Sequence, residues 1–86
     1  MPRLSEFYGI VIRMHADDHQ PPHLHARYGT FHAEIDLHTL TVQRGTLPAR
    51  ALTLVLDWAL QHPAELDTQW ERARQQLPLQ ELAPLS

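Results

Sequence analysis

The dipeptide Gly29-Thr30 lies between two runs, His23 to Tyr28 and Phe31 to Leu37, that match each other pair by pair out to His23 and Asp36 when the chain folds back on itself. A glycine at the first central position suits a two-residue type II′ turn, and such a turn fixes the strand register. Tyr28 then faces Phe31, Ala26 faces Ala33, and Leu24 faces Ile35. On the opposite face Arg27 meets His32, His25 meets Glu34, and His23 meets Asp36. Every pair agrees in polarity, and a one-residue slip would set apolar side chains against charged ones. A hairpin over this segment is the firmest element the sequence predicts.

The flanking segments read less directly. Ser5 to Met14 alternates, with Tyr8, Ile10, Ile12 and Met14 on one face, and is read as a single first strand. His15 to Pro22 is a polar loop ending in two prolines that cannot donate ladder hydrogen bonds. Leu40 to Gln43 is read as a short fourth strand ahead of a turn at Arg44-Gly45. Helical spacing follows Pro48, with Leu52, Val55, Leu56 and Ala59 as the apolar stripe. His62-Pro63 ends that helix and starts a second along Leu66, Trp70 and Ala73, with Trp58 and Trp70 as core anchors. From Leu77 onward Pro78 and Pro84 predict an extended tail, free to cover the sheet or join a partner. The expected fold class is α+β, within one domain over 1–86: an antiparallel three- to four-stranded meander (5–43), a two-helix hairpin (48–76) packed on one sheet face, and a tail (77–86). A chain of 86 residues is long enough for one modest core.

Charge and composition narrow the function classes. The formal charge is −3, and all the cationic side chains apart from histidine are arginines. A broad positive field for nucleic-acid backbones is therefore absent, leaving only local arginine sites. With no cysteine, any metal must be held by His, Asp or Glu. No apolar stretch approaches the roughly 20 residues that span a bilayer, and the N-terminus lacks a signal-peptide pattern, so a cytoplasmic location is expected.

Chemistry concentrates around the predicted hairpin. His19, His23 and His25 lie close in sequence, and in a strand His23 and His25 would share a face about 6.6 Å apart. They are the candidate ligands for zinc, nickel or iron(II), with Asp18, His32 or Glu34 able to complete the set. Glu34 and Asp36 could instead orient the imidazoles from behind. Two histidines and a carboxylate with an open position would support hydrolysis; four protein ligands would make the site structural. A metal-free alternative uses the histidines as acid and base on a phosphodiester, with Arg13 or Arg27 stabilising the phosphorane. The plainest alternative is a polar sheet face that needs no ligand. Arg50 reads as a salt-bridge partner or an anion contact, Asp17 and Asp18 as turn residues, His62 as a helix cap and His38 as solvent-facing.

Phe7-Tyr8-Gly9-Ile10, Asp18-His19-Gln20-Pro21-Pro22-His23-Leu24-His25-Ala26, Tyr28-Gly29, Leu47-Pro48-Ala49-Arg50, Leu54-Val55, Trp58, Glu65-Leu66 and Trp70 together resemble a bacterial family known as domain of unknown function 4160. Leu24 stands where that family would carry an aromatic, a departure that concerns packing. The resemblance brings no activity. It implies a small bacterial protein encoded beside another small protein, in an arrangement like a toxin–antitoxin pair. The leading expectation is accordingly a protein-binding component of a two-gene module, with a homo-oligomer also open. The rival is a small metal-dependent hydrolase or metal-free ribonuclease, its candidate catalytic groups being Glu34, Arg13 and Arg27.

Overall fold

The computed structural model describes residues 3–15 and 19–86. Five strands form one antiparallel sheet in sequence order: β1 (Arg3–Phe7), β2 (Ile10–Arg13), β3 (His23–Tyr28), β4 (Phe31–Asp36) and β5 (Val42–Thr46). Two helices follow, α1 (Ala49–Leu60) and α2 (Pro63–Arg74). The α+β class stands. The sheet, however, has five strands where three or four were expected.

The extra strand comes from Tyr8-Gly9. What reads as one strand is a second hairpin, with Phe7 paired to Ile10 across a turn whose central φ angles are 50° and 80°. Positive φ at both central residues is the type I′ condition, usually met by Asn-Gly or Asp-Gly. Here glycine supplies only half of that signal, and tyrosine occupies a conformation that ordinary side chains avoid. The single-strand reading set Phe7 and Ile10 on opposite faces; the turn brings both into the core.

The β3–β4 register is the one the sequence predicts, from His23 opposite Asp36 to Tyr28 opposite Phe31. The next connection differs from expectation. Asp36 Oδ1 accepts from the backbone N–H groups of His38 and Thr39 at 2.7 and 2.8 Å, closing a turn that delays β5 to Val42. Arg44 and Gly45 therefore lie inside the strand, where the register against β4 shifts between Glu34 and Ile35. Gly45, opposite Ala33, has φ 80°, and a Cβ there would stand 2.1 Å from the His32 carbonyl oxygen, so only glycine fits at this position.

One buried cluster unites the strands and helices. Ile10, Ile12, Leu24, Ala26, Ala33 and Ile35 contribute from the sheet, and Val55, Trp58, Leu66 and Trp70 from the helices. In α1 the buried residues are Ala51, Val55, Trp58 and Ala59, so the buried stripe is rotated from the expected Leu52 and Leu56, which are half-buried. Trp58 meets the Phe7 ring at 5.7 Å and donates from Nε1 to the Ala83 carbonyl at 2.8 Å. The tail is extended and docked. Leu82 N–H donates to Leu4 O on β1 at 2.7 Å, and Gln80 N–H to Gln69 Oε1 at 2.8 Å. His62 precedes α2 without a side-chain cap; its Nε2 donates to Ala83 O at 3.0 Å and its Nδ1 meets Glu65 Oε1 at 2.8 Å. Among the described residues no helix is long and apolar enough to cross a membrane.

Candidate metal centre

Strand alternation places His23 and His25 on the face opposite Leu24 and Ala26, and β4 adds His32 and Glu34 beside them. His19 comes from the loop before β3, a segment held by Pro21 and Pro22 in which the Gln20–Pro21 peptide is cis. His15 lies two residues beyond Arg13 on β2. The result is a row of rings: His19 to His23 at 4.7 Å, His23 to His25 at 5.2 Å, His25 to His32 at 5.3 Å, and His15 stacked on His25 at 3.6 Å.

At the inner end, His23 is 1% exposed, with the Trp70 ring 5.3 Å away. Its Nδ1 lies 2.8 Å from Pro21 O. A carbonyl only accepts, so Nδ1 carries the hydrogen and Nε2 is the atom turned toward Glu34 Oε1, at 3.7 Å. Backbone acceptance at one ring nitrogen is the usual device by which a protein fixes the tautomer of a metal-binding histidine. His19, His23 and Glu34 each offer a ligand atom, all within 4.8 Å of one another. Bonds of 2.0 to 2.2 Å in a tetrahedron set ligand atoms about 3.3 to 3.6 Å apart. The His23–Glu34 edge, at 3.7 Å, is already close to that, and His19 is the exposed member of the set.

The outer end is different. His25 Nδ1 lies 3.2 Å from His32 Nε2, so one ring donates to the other. Burial holds the His32 imidazole below its ordinary pKa; the neighbouring His25 pushes the same way, Glu34 opposes, and Arg27 lowers it further. A cleft of about 370 Å³ opens here, lined by Val11, Arg13, His15, His25, Arg27 and His32.

Of the residues named from sequence, His19, His23 and Glu34 come together, while His25 and His32 form the neighbouring pair. Asp18, the alternative ligand, lies outside the described residues, as does Asp17. Asp36 pairs with His23 in register, yet its carboxylate serves the β4–β5 turn and Gln43, with Gln43 Nε2 at 3.1 Å. The Thr39 N–H holds the Asp36 carboxyl below the ordinary value; burial opposes it, and the His38 N–H and Gln43 side chain add to the lowering. His38 is exposed, 3.7 Å from Asp67. Arg50 is exposed beside a small cavity shared with Tyr8 and Tyr28, and makes no ion pair among the described residues. His15 escaped the sequence reading. Its signal was the spacing from Val11 and Arg13, which extends one face of β2 past the end of the strand.

A three-residue set of two imidazoles and one carboxylate is the donor set of His₂Glu zinc hydrolases and of the iron(II) facial triad. The family model described as Domain of unknown function (DUF4160) matches residues 9–71. The chain belongs to that family, and the matched span contains the hairpin, the histidine row, α1 and most of α2. No curated protein and no solved structure matches the chain.

Proposed function

We propose that this protein is a small metal-dependent hydrolase holding one divalent transition-metal ion, zinc, iron(II) or nickel, at His19, His23 and Glu34. The observation that carries the reading is the orientation of His23: its Nδ1–H is committed to Pro21 O, and its Nε2 is turned toward the buried Glu34 carboxylate 3.7 Å away. An imidazole nitrogen and a carboxylate oxygen are both ligand types for a divalent transition-metal ion, so one ion can be held by both. Three protein ligands leave a position for water, whose pKa a bound zinc ion brings to about 7. Glu34, expected as a catalytic group or as a residue completing the ligand set, is a ligand in this scheme. The test is the metal content of untagged protein purified without chelator, beside His19→Ala/His23→Ala. Near-stoichiometric metal in the parent, lost in a folded double variant, supports the site; a metal-free parent that takes up no zinc, iron(II) or nickel on reconstitution overturns it.

A second reading, association with a small partner protein in a bacterial two-gene, toxin–antitoxin-like module, is favoured by one feature. Tyr8, Tyr28 and Phe31 are 61%, 40% and 43% exposed, and they flank the two tight turns at one end of the sheet. Exposed aromatics grouped in this way are typical interface anchors. The tail is committed within the chain, so this end of the sheet is where a partner would engage. Co-expression with the product of an adjacent gene, followed by size-exclusion chromatography with and without Tyr8→Ser/Phe31→Ser, tests it: a co-eluting complex lost in the variant supports the reading, and separate elution of the two parent proteins counts against it.

A further inference from the structure

We propose that the cleft over β2, β3 and β4 binds the phosphate group of a phosphate ester, and that Arg13 and Arg27 are its main contacts. This goes beyond the metal site and does not require it. The register sets Val11 opposite Arg27 and Arg13 opposite His25, so the two arginines are diagonal neighbours on one sheet face, with backbone positions about 7 to 8 Å apart. His32 stands opposite Arg27 on the next strand. Two permanently charged guanidinium groups thus converge on one cleft that also presents the rings of His15, His25 and His32. The chain as a whole is acidic, so this grouping runs against the average charge.

Among the described residues, two acidic groups of the same face lie outside the cleft lining. Glu34 lies toward His23, and Glu6, opposite Val11, is ion-paired with Arg3. No carboxylate lines the cleft among the described residues. Arg27 makes a single long hydrogen bond, from Nε to Gly29 O at 3.4 Å, which leaves the outer guanidinium nitrogens available. A carboxylate ligand offers two oxygens and is satisfied by one bidentate arginine. A tetrahedral phosphate offers oxygens in more than one direction and suits two guanidinium forks with ring N–H donors between them. A volume of about 370 Å³ is at the small end of ligand sites, the scale of a mononucleotide or sugar phosphate. A phosphate of this kind comes either from a small metabolite or from one linkage of a single-stranded nucleic acid; the net negative charge disfavours a long duplex.

The experiment is isothermal titration of the full-length protein with inorganic phosphate, adenosine 5′-monophosphate and a hexameric single-stranded RNA. Each titration is repeated after chelator treatment, and on Arg27→Ala, Arg13→Ala and Arg44→Ala. Arg27 is exposed and Arg44 lies on β5 outside the cleft, so neither change threatens the fold. The expected result is saturable binding of phosphate and the nucleotide, unchanged by chelator, weakened about tenfold or more by Arg27→Ala and by Arg13→Ala, and unaffected by Arg44→Ala. Tighter binding of the RNA than of the nucleotide, with a salt slope near −1.4 for two contacts, assigns the phosphate to a strand; equal or weaker binding assigns it to a small molecule. Binding abolished by chelator would place the phosphate on a metal ion, and binding indifferent to both cleft arginines would place it elsewhere; either result, or no binding of any probe, overturns the proposal.

Discussion

The two ends of the histidine row are built from the same residue type on the same strands, yet their surroundings give them different chemistry. At the inner end His23 is buried against Trp70, its tautomer fixed by Pro21 O, and the Glu34 carboxylate lies 3.7 Å from its Nε2. At the outer end His25 and His32 share a hydrogen bond beside two arginines and an open cleft. On the proposals made above, the inner end takes a cation and the outer end an anion. Which charge an imidazole attracts is set by the partner of its second nitrogen and by the fixed charges around it.

Glu34→Gln should separate the ends most sharply. Removing a ligand costs at least as much as removing a group that orients one, so zinc affinity should fall about 100-fold or more while phosphate affinity stays within about twofold. Parallel titrations of one preparation read both, and equal losses would merge the two ends into one site. Asp36→Ala should cost about 1 kcal/mol of stability, through the loss of two turn N–H partners, with little effect on either ligand. Chemical denaturation measures this; a loss of metal binding as large as that of Glu34→Gln would return Asp36 to the site. A double-mutant cycle on His25→Ala and His32→Ala should give a coupling of about 0.5 to 1 kcal/mol, larger than the coupling of His25 to Glu34, because the ring nitrogens of the former pair meet. The reverse order would mean that the cross-strand pair, and not the ring contact, is the stronger interaction.

The smallest expected effect is on pH dependence. His32 is held below its ordinary pKa by burial, with His25 adding to the shift. The unfolded chain therefore binds this proton more readily, and the contribution of neutral His32 to stability is present above the unfolded value and lost as pH falls through the folded one. The ring resonances of His32 should titrate below the ordinary imidazole value, and bound phosphate should raise the His32 midpoint. A midpoint at or above the ordinary imidazole value without ligand would contradict that shift.

Much of the fold was legible where polarity pairing constrains the chain. In the β3–β4 hairpin each cross-strand pair tests the register independently, and the structure keeps all of the predicted pairs. Tyr8-Gly9 was hidden because apolar alternation runs through the turn unbroken and tyrosine is a rare occupant of positive φ. The shift of β5 was hidden for a related reason: Asp36 reads as a strand residue facing His23, and only its rotamer shows that it closes the next turn. The site was legible as a cluster and not as a set of partners. Sequence gives the face on which His23, His25, His32 and Glu34 stand, but the division into a cation-facing and an anion-facing end depends on side-chain torsions and on Pro21 O, which spacing does not encode.

The most direct measurement is the visible absorption of the cobalt(II)-loaded protein, which reports ligand number and geometry, in the parent, His23→Ala, Glu34→Gln and His25→Ala. An intense low-coordinate spectrum is expected in the parent and in His25→Ala, lost in both His23→Ala and Glu34→Gln. A spectrum that survives Glu34→Gln and disappears with His25→Ala would place the ion between the two strand histidines and contradict the division of the row.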